Sequence, residues 1–299
     1  MSNVKFFMDS AGDLTQEYIR QHDISIIGQN YSIDNVEYLY DANPDDTSNP
    51  SAKDFYARMR AGGVPTTSMV NPQRFTDFFK PALDAGRDIW CVTLSSGLSG
   101  SYGCAVSAAD ALRGQYPDRS IRVIDSLAAT GGEGIVLYLI IEKCLAGWDA
   151  DAIEKFINAE KTRVFHWYTV DDLVYLKRGG RISATTALLG SILNLKPVLD
   201  VDGEGKLVSV EKAQGRRRAL KALADHFAHD VSPDYKGPVF ISHADCEDDA
   251  LMVGKLAAQK LGREFGLESD MILPLSPIIG SHAGPGTVAL TFFGDKPRR

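Results

Sequence analysis

Short apolar runs alternate with longer segments of helical periodicity, and nothing else in the sequence limits the fold as strongly. "VKFFMD" at 4–9 is followed by "LTQEYIRQHD" and "ISIIG", and later come "DIWCVTL", "SYGCAVSAADALRGQ", "IRVIDS" and "GEGIVLYLIIEKCLAG". Successive parallel strands need a crossover long enough to bring the chain back to the same edge, so this order predicts a parallel sheet wrapped by helices. "DADAIEKFINAEKT" then reads as a polar-faced helix with Ile153, Phe156 and Ile157 at helical spacing. After it the pattern changes. "RVFHWYTV" reads as a strand and "KPVLDVDGEGKLVSVEKA" as a hairpin with Asp-Gly and Glu-Gly at its turn. They are followed by a helix from Arg216 to about His229, the strand "PVFISHA", a helix from Asp248 to about Phe265, and "MILPLSPIIGSHAGPGTVALTFFG". A hairpin beside helix–strand units predicts a mixed sheet. The expected architecture is α/β in two domains, an N-terminal parallel α/β/α unit over 1–160 and a C-terminal mixed-sheet unit over 161–299. The tail "GDKPRR" reads as frayed.

Charge and composition remove several classes of function. A net charge of -7 and a pI near 5.4 oppose a nucleic-acid or anionic-membrane surface. Asp9 interrupts the first apolar stretch before a signal-peptide core forms, and the run "GIVLYLII" is far shorter than the ~20 residues that span a bilayer. A cytoplasmic protein without integral membrane association is expected. Cys91, Cys104, Cys144 and Cys246 are widely separated and form no C-x-x-C pair, so they read as small buried hydrophobes and signal neither zinc nor disulfides.

Five loops concentrate hydroxyls, acids and glycines: "MDSAGDL", "VPTTSMVNP", "TLSSGLSGSYG", "IDSLAATGGEG" and "GSHAGPGTVAL". In an open parallel sheet, ligands sit beyond the carboxyl ends of the strands, where such loops converge. A run of serines between a strand and a helix offers hydroxyls and free N–H groups to an anion. Two readings of that anion site compete. Ser96, Asp125 or Asp245, and His282 follow the chain order of a hydrolase triad, but Gly97-Leu98-Ser99-Gly100-Ser101 gives G-x-S-x-S where the nucleophile elbow needs G-x-S-x-G. The chain also lacks the glycine-rich phosphate-loop patterns, "TGGEG" being too short for either. His282, bracketed by small residues, reads as a ligand contact. His166 and His243 read as satisfied buried histidines, and His226 and His229 as lying on a helix surface. Lys177, Arg178 and Arg181 in "YLKRGGRIS", and Arg216, Arg217 and Arg218 at a helix start, read as exposed cations.

In "DSAGDL", "PTTSMVNPQRF", "LSSGLSGSY", "VIDSLAATGGEG", "DLVYLKRGGRIS", "ALLGSILNLKPVL" and "GSHAGPGTVAL", spread from residue 9 to residue 290, the chain resembles the DegV family of bacterial fatty-acid-binding proteins. That family includes the acyl-carrying subunits of fatty acid kinase. The resemblance implies a long-chain fatty acid in a tunnel between the two domains. It places the carboxylate on Thr67, Ser68, Ser95, Ser96, the backbone near Gly97, and His282. It implies no catalytic residue, no metal and no cofactor in this chain, and chemistry supplied by a separate ATP-dependent kinase subunit that makes an acyl phosphate for phospholipid synthesis. Lys177, Arg178, Arg181 and Arg216 to Arg218 are the expected docking cations. The chain departs from the family's usual "TTSQP" at Met69 and Val70, and has Gln214 where members often carry arginine. A serine–histidine hydrolase or acyltransferase, and a lipid-sensing regulatory module, are the alternative readings.

Overall fold

The strands β1 (Val4–Asp9), β2 (Ile24–Ile27), β6 (Asp88–Thr93) and β7 (Ile121–Asp125) form a wholly parallel sheet in the order β2-β1-β6-β7. They belong to a computed structural model that describes residues 3–182, 194–231, 236–262 and 271–298. α1 (Gln16–Gln21) makes the crossover from β1 to β2. Alternate residues of the buried strands point to opposite faces. Phe7, Ile89 and Cys91 pack on one face with Phe75, Phe79 and Ala105 of α3 (Pro72–Asp84) and α4 (Ser101–Arg113). Phe6, Met8, Trp90 and Val92 pack on the other with α5 (Gly131–Leu145).

β8 (Val164–Thr169), β9 (Leu195–Val201), β10 (Leu207–Gln214), β11 (Phe240–His243), β12 (Ile272–Pro274) and β13 (Val288–Phe293) build the mixed sheet, in the order β10-β9-β8-β13-β11-β12. Only β11 and β12 pair in parallel. The chain reaches this sheet through α5 and α6 (Ala150–Glu160). α8 (Arg216–Asp230) and α9 (Glu247–Leu261) cover one face, packing Leu223 and Phe227 of α8 and Val253 of α9 over Phe165, Trp167, Leu290 and Phe292. The expected extension of α9 to Phe265, Ser183, and the part of "ALLGSILNLKPVL" before Asn194 lie outside the described residues.

The apolar run of α5 has a physical reason. Its Ile135, Val136, Leu137, Ile140 and Ile141 are wholly buried in one cluster that also holds Val164 and Phe240 of the mixed sheet. A helix apolar all round must be covered all round, and α5 is the layer that the two sheets share.

A third sheet was not expected. β3 (Gln29–Ile33), β4 (Val36–Tyr40) and β5 (Thr66–Thr67) pair antiparallel in the order β4-β3-β5, with α2 (Ala52–Arg60) following β4. The β3–β4 turn is Asp34-Asn35, with both φ values positive at 54° and 62°. Two left-handed residues in succession are the hairpin turn that Asp and Asn tolerate, so "SIDNVEY" did carry a signal. The tail also differs from expectation. Arg298 is only 6% exposed: its backbone N–H donates to Thr162 O (2.8 Å), and its guanidinium to Leu127 O (2.9 Å) and toward His166 Nδ1 (3.2 Å). Backbone carbonyls of Thr162 and Leu127 that accept from the guanidinium hold the tail in place.

Candidate functional site

The acids and hydroxyls of the loops act first as a scaffold. Asp9, at the end of β1, accepts from Ala11 N (3.0 Å) and Leu94 N (2.9 Å), and so fixes the loop after β6. Ser10 Oγ accepts from Gln29 N at 3.0 Å, and Ser242 Oγ donates to Asp13 at 2.8 Å across the two sheets. Asp125 accepts from Ser96 N and Leu127 N at the end of β7. Thr130 holds a φ of 53°, unusual for a β-branched residue, between hydrogen bonds to Ala11 and Asp13. Burial without enough donors lifts the acids: Asp9 to about 6, Asp13 to about 7, and Glu133 well above its ordinary value, with the charges of Asp9 and Asp13 adding to its rise.

These loops border a cavity of about 210 Å³ between the parallel and mixed sheets. Its wall is mostly apolar, with Leu94 and Leu98 from the β6–α4 loop, Val201 and Ala289 from the mixed sheet, and Ile278 and Ile279 from α10 (Pro277–Ala283). The solvent-facing end is marked by the exposed residues Ser68, Met69, Gly100 and Arg181. Next to them, Thr67 Oγ1 and His282 Nε2 lie 2.8 Å apart. Burial, and then the charge of Arg181, lower the His282 pKa to about 4, so its imidazole is neutral at neutral pH. The Arg181 guanidinium donates to Leu98 O at 3.3 Å and to Gly179 O. Gly179 presses against the His282 ring, leaving no room for a Cβ, and Gly180 turns the chain with φ +69°. The "KRGGR" turn after α7 (Val174–Arg178) therefore packs against the histidine. Hydroxyls, a neutral imidazole and a guanidinium at the end of an apolar cavity suit a carboxylate with a hydrocarbon tail.

Of the residues expected to hold a carboxylate, Thr67, Ser68 and His282 line the cavity. The β6–α4 loop gives the wall Leu94, Leu98, Ser99 and Gly100, whereas Ser95, Ser96 and Gly97 lie off it. Ser95 Oγ donates to Gly205 O (2.8 Å) and accepts from Gly97 N (3.1 Å); a Cβ at Gly97 would come within 2.8 Å of Gly205 O. These residues dock the loop onto the β9–β10 turn. Among the expected docking cations, Arg181 lines the cavity and Arg216 is bound to Asp249 (2.8 Å) and near Asp171 (3.6 Å), while Lys177, Arg178, Arg217 and Arg218 are exposed.

The sequence reading missed Arg181, Gln29, His166 and Tyr168 as wall residues. His166 and Tyr168 alternate with Phe165 and Trp167, which pack under α8, so the period-2 pattern of "RVFHWYTV" already put them on the other face. No triad assembles among the described contacts: His282 meets Thr67, Asp125 holds backbone N–H groups, and Asp245 pairs with Arg60. Among the described residues no group of His, Cys, Asp and Glu suits a metal ion, and no helix is long and apolar enough to cross a membrane.

Comparison with known proteins covers nearly the whole chain. The family model described as "Uncharacterised protein, DegV family" matches residues 3–295. A DegV domain-containing protein of Clostridium perfringens is 36% identical over 295 residues, 99% of each chain. A structure titled for fatty acid binding of a DegV family protein from Thermus thermophilus superposes with TM-score 0.83 at 25% identity, covering 98% of this chain and 100% of that one. The Streptococcus pneumoniae Fatty Acid Kinase (Fak) B3 protein, loaded with linoleic acid, has the same fold, with TM-score 0.80 at 19% identity over 98% of this chain and 100% of its own.

Proposed function

The chain belongs to the DegV family, and from that premise we propose that it binds one long-chain fatty acid in the cavity between its sheets and presents the carboxylate at the end lined by Thr67, Ser68, Arg181 and His282. The observation that carries this reading is the polarity of the cavity: apolar along its wall, with hydroxyls, a neutral histidine and a guanidinium at its exposed end. Each buried methylene contributes about 0.8 kcal/mol, so the tail supplies most of the affinity and the head group its direction. The fatty-acid-bound relatives support the same occupant.

The carrier role extends to a partner. A carboxylate held at an exposed end is accessible to a separate ATP-dependent subunit that converts it to an acyl phosphate. Lys177 and Arg178 sit on α7 beside that end, and Arg217 and Arg218 are exposed at the start of α8, where they complement an acidic partner face. The test is reconstitution with a bacterial fatty acid kinase ATP-binding subunit. Acyl phosphate should form only with acid, ATP and both proteins present, and Arg217→Glu should slow it while fatty-acid affinity stays unchanged. Acyl phosphate made by this chain alone, or none made with any such subunit, contradicts the carrier-for-kinase reading.

A further inference from the structure

A thioether stands at the solvent-facing end of the cavity. Met69 is 54% exposed, more than any other large apolar side chain described, and it lines the cavity beside Ser68 and Gly100. The backbone is pinned on both sides of it. Ser68 N–H donates to Asn30 O (3.0 Å), Val70 N–H donates to Ser101 Oγ (3.3 Å), and the Val70 side chain is buried in one cluster with Phe75 and Ala105. The Met69 side chain lies over the start of α4, where a Cβ on Gly100 would come 2.5 Å from its Sδ. The bare glycine leaves the room that the sulfur occupies. Among the other described methionines, Met8 and Met59 are buried, and Met252 and Met271 are partly buried against the core under α8 and α9.

An exposed thioether reacts with a hydroperoxide. The sulfur lone pair attacks the terminal peroxide oxygen, an S–O bond forms as the O–O bond breaks, and water leaves when the oxidant is hydrogen peroxide. Sulfur is oxidised to the sulfoxide and the peroxide is reduced, by two electrons each. The product is polar where the thioether was apolar, and its oxygen accepts hydrogen bonds without donating any. At this rim, next in the chain to Thr67 and Ser68, that oxygen adds an acceptor to the end of the cavity where a carboxylate needs donors.

We propose that Met69 is a redox-modification site, and that its conversion to the sulfoxide by a hydroperoxide weakens fatty-acid binding until a methionine sulfoxide reductase restores the thioether. This rests on the carboxylate-binding reading above and adds regulation to the same site.

The test treats the delipidated full chain with hydrogen peroxide, follows each methionine by peptide mass spectrometry, and measures octadecanoic acid affinity before and after treatment. Met69 should gain its oxygen before any other described methionine. Affinity should then fall about fivefold and return on reduction by methionine sulfoxide reductases, while the affinity of a folded Met69→Leu variant, compared with its own untreated value, should not fall. Oxidation of Met69 no faster than that of Met252 or Met271, an affinity unchanged once Met69 is oxidised, or an equal loss in Met69→Leu overturns the redox inference alone. Failure of the untreated chain to bind octadecanoic acid overturns the carboxylate reading beneath it.

Discussion

Thr67 and His282 share one contact at the exposed end of the cavity, and neither has another side-chain partner among the described hydrogen bonds. On the proposed reading both hydrogen-bond the carboxylate, so Thr67→Val or His282→Ala should weaken long-chain acid binding by about 1.5–3 kcal/mol, the cost of a lost charge-assisted hydrogen bond. Calorimetric titration checks this; affinities unchanged in both variants would place the carboxylate elsewhere. Removing Arg181 should also weaken the head group, and should raise the His282 pKa because a nearby positive charge is gone, a shift that NMR titration of the imidazole reads directly. These residues were unequally legible in the sequence. Thr67, Ser68 and His282 stand among small residues and read as loop contacts, although the structure puts Thr67 in β5 and His282 in α10; all three line the cavity. Arg181 follows two glycines in a cationic turn, which locally looks like solvent-exposed surface. Ser95 lies off the cavity wall, and its hydroxyl donates to Gly205 O, a contact that no local pattern reveals.

Among the elements, α5 is the one whose sequence is most constrained. Its first turn carries glycines because other groups fill the space, and at Gly132 the His166 imidazole stands where a Cβ would be. Gly132→Ala should therefore destabilise the protein by about 1–3 kcal/mol through overpacking, against the gain in helix propensity that alanine gives elsewhere, and urea unfolding would show it. A stability equal to or above wild type would mean that His166 moves aside freely. "TGGEG" is thus a packing motif. The strand–helix alternation was readable because burial on both faces writes continuous apolar runs. The β3–β4–β5 sheet was not, because its strands are short and half polar, and β5 is only the pair Thr66–Thr67, held through its partner β3.

The molecule as a whole is joined through buried groups. α5 packs against both sheets, Tyr56 OH donates to Leu275 O at 2.8 Å, and Ser242 bonds Asp13 across the same junction. The acids at the junction give stability a pH dependence of known sign. Asp9 and Asp13 have folded values of about 6 and 7 against 3.8 unfolded, so the folded state holds the extra protons. Their contribution is fully present below about pH 4 and is lost as pH rises through 6 to 7. His282 opposes it, since a folded value of about 4 against 6.5 adds stability above pH 6.5 that is lost as pH falls toward 4. Denaturant unfolding from pH 5 to 8 should therefore show a contribution that falls up to about pH 7 and then levels, and that Asp13→Asn flattens; an unchanged slope in that variant would show that Asp13 does not titrate in this range. The two-unit architecture could be read from the change in strand pattern, but the sharing of α5 could not, because it depends on contacts between residues far apart in the chain. The central claim is that the cavity is a fatty-acid site. Mass spectrometry of the organic extract of the purified protein tests it most directly: the account predicts about one long-chain carboxylic acid per chain, and protein that is recovered free of lipid and takes up no long-chain acid on incubation would contradict it.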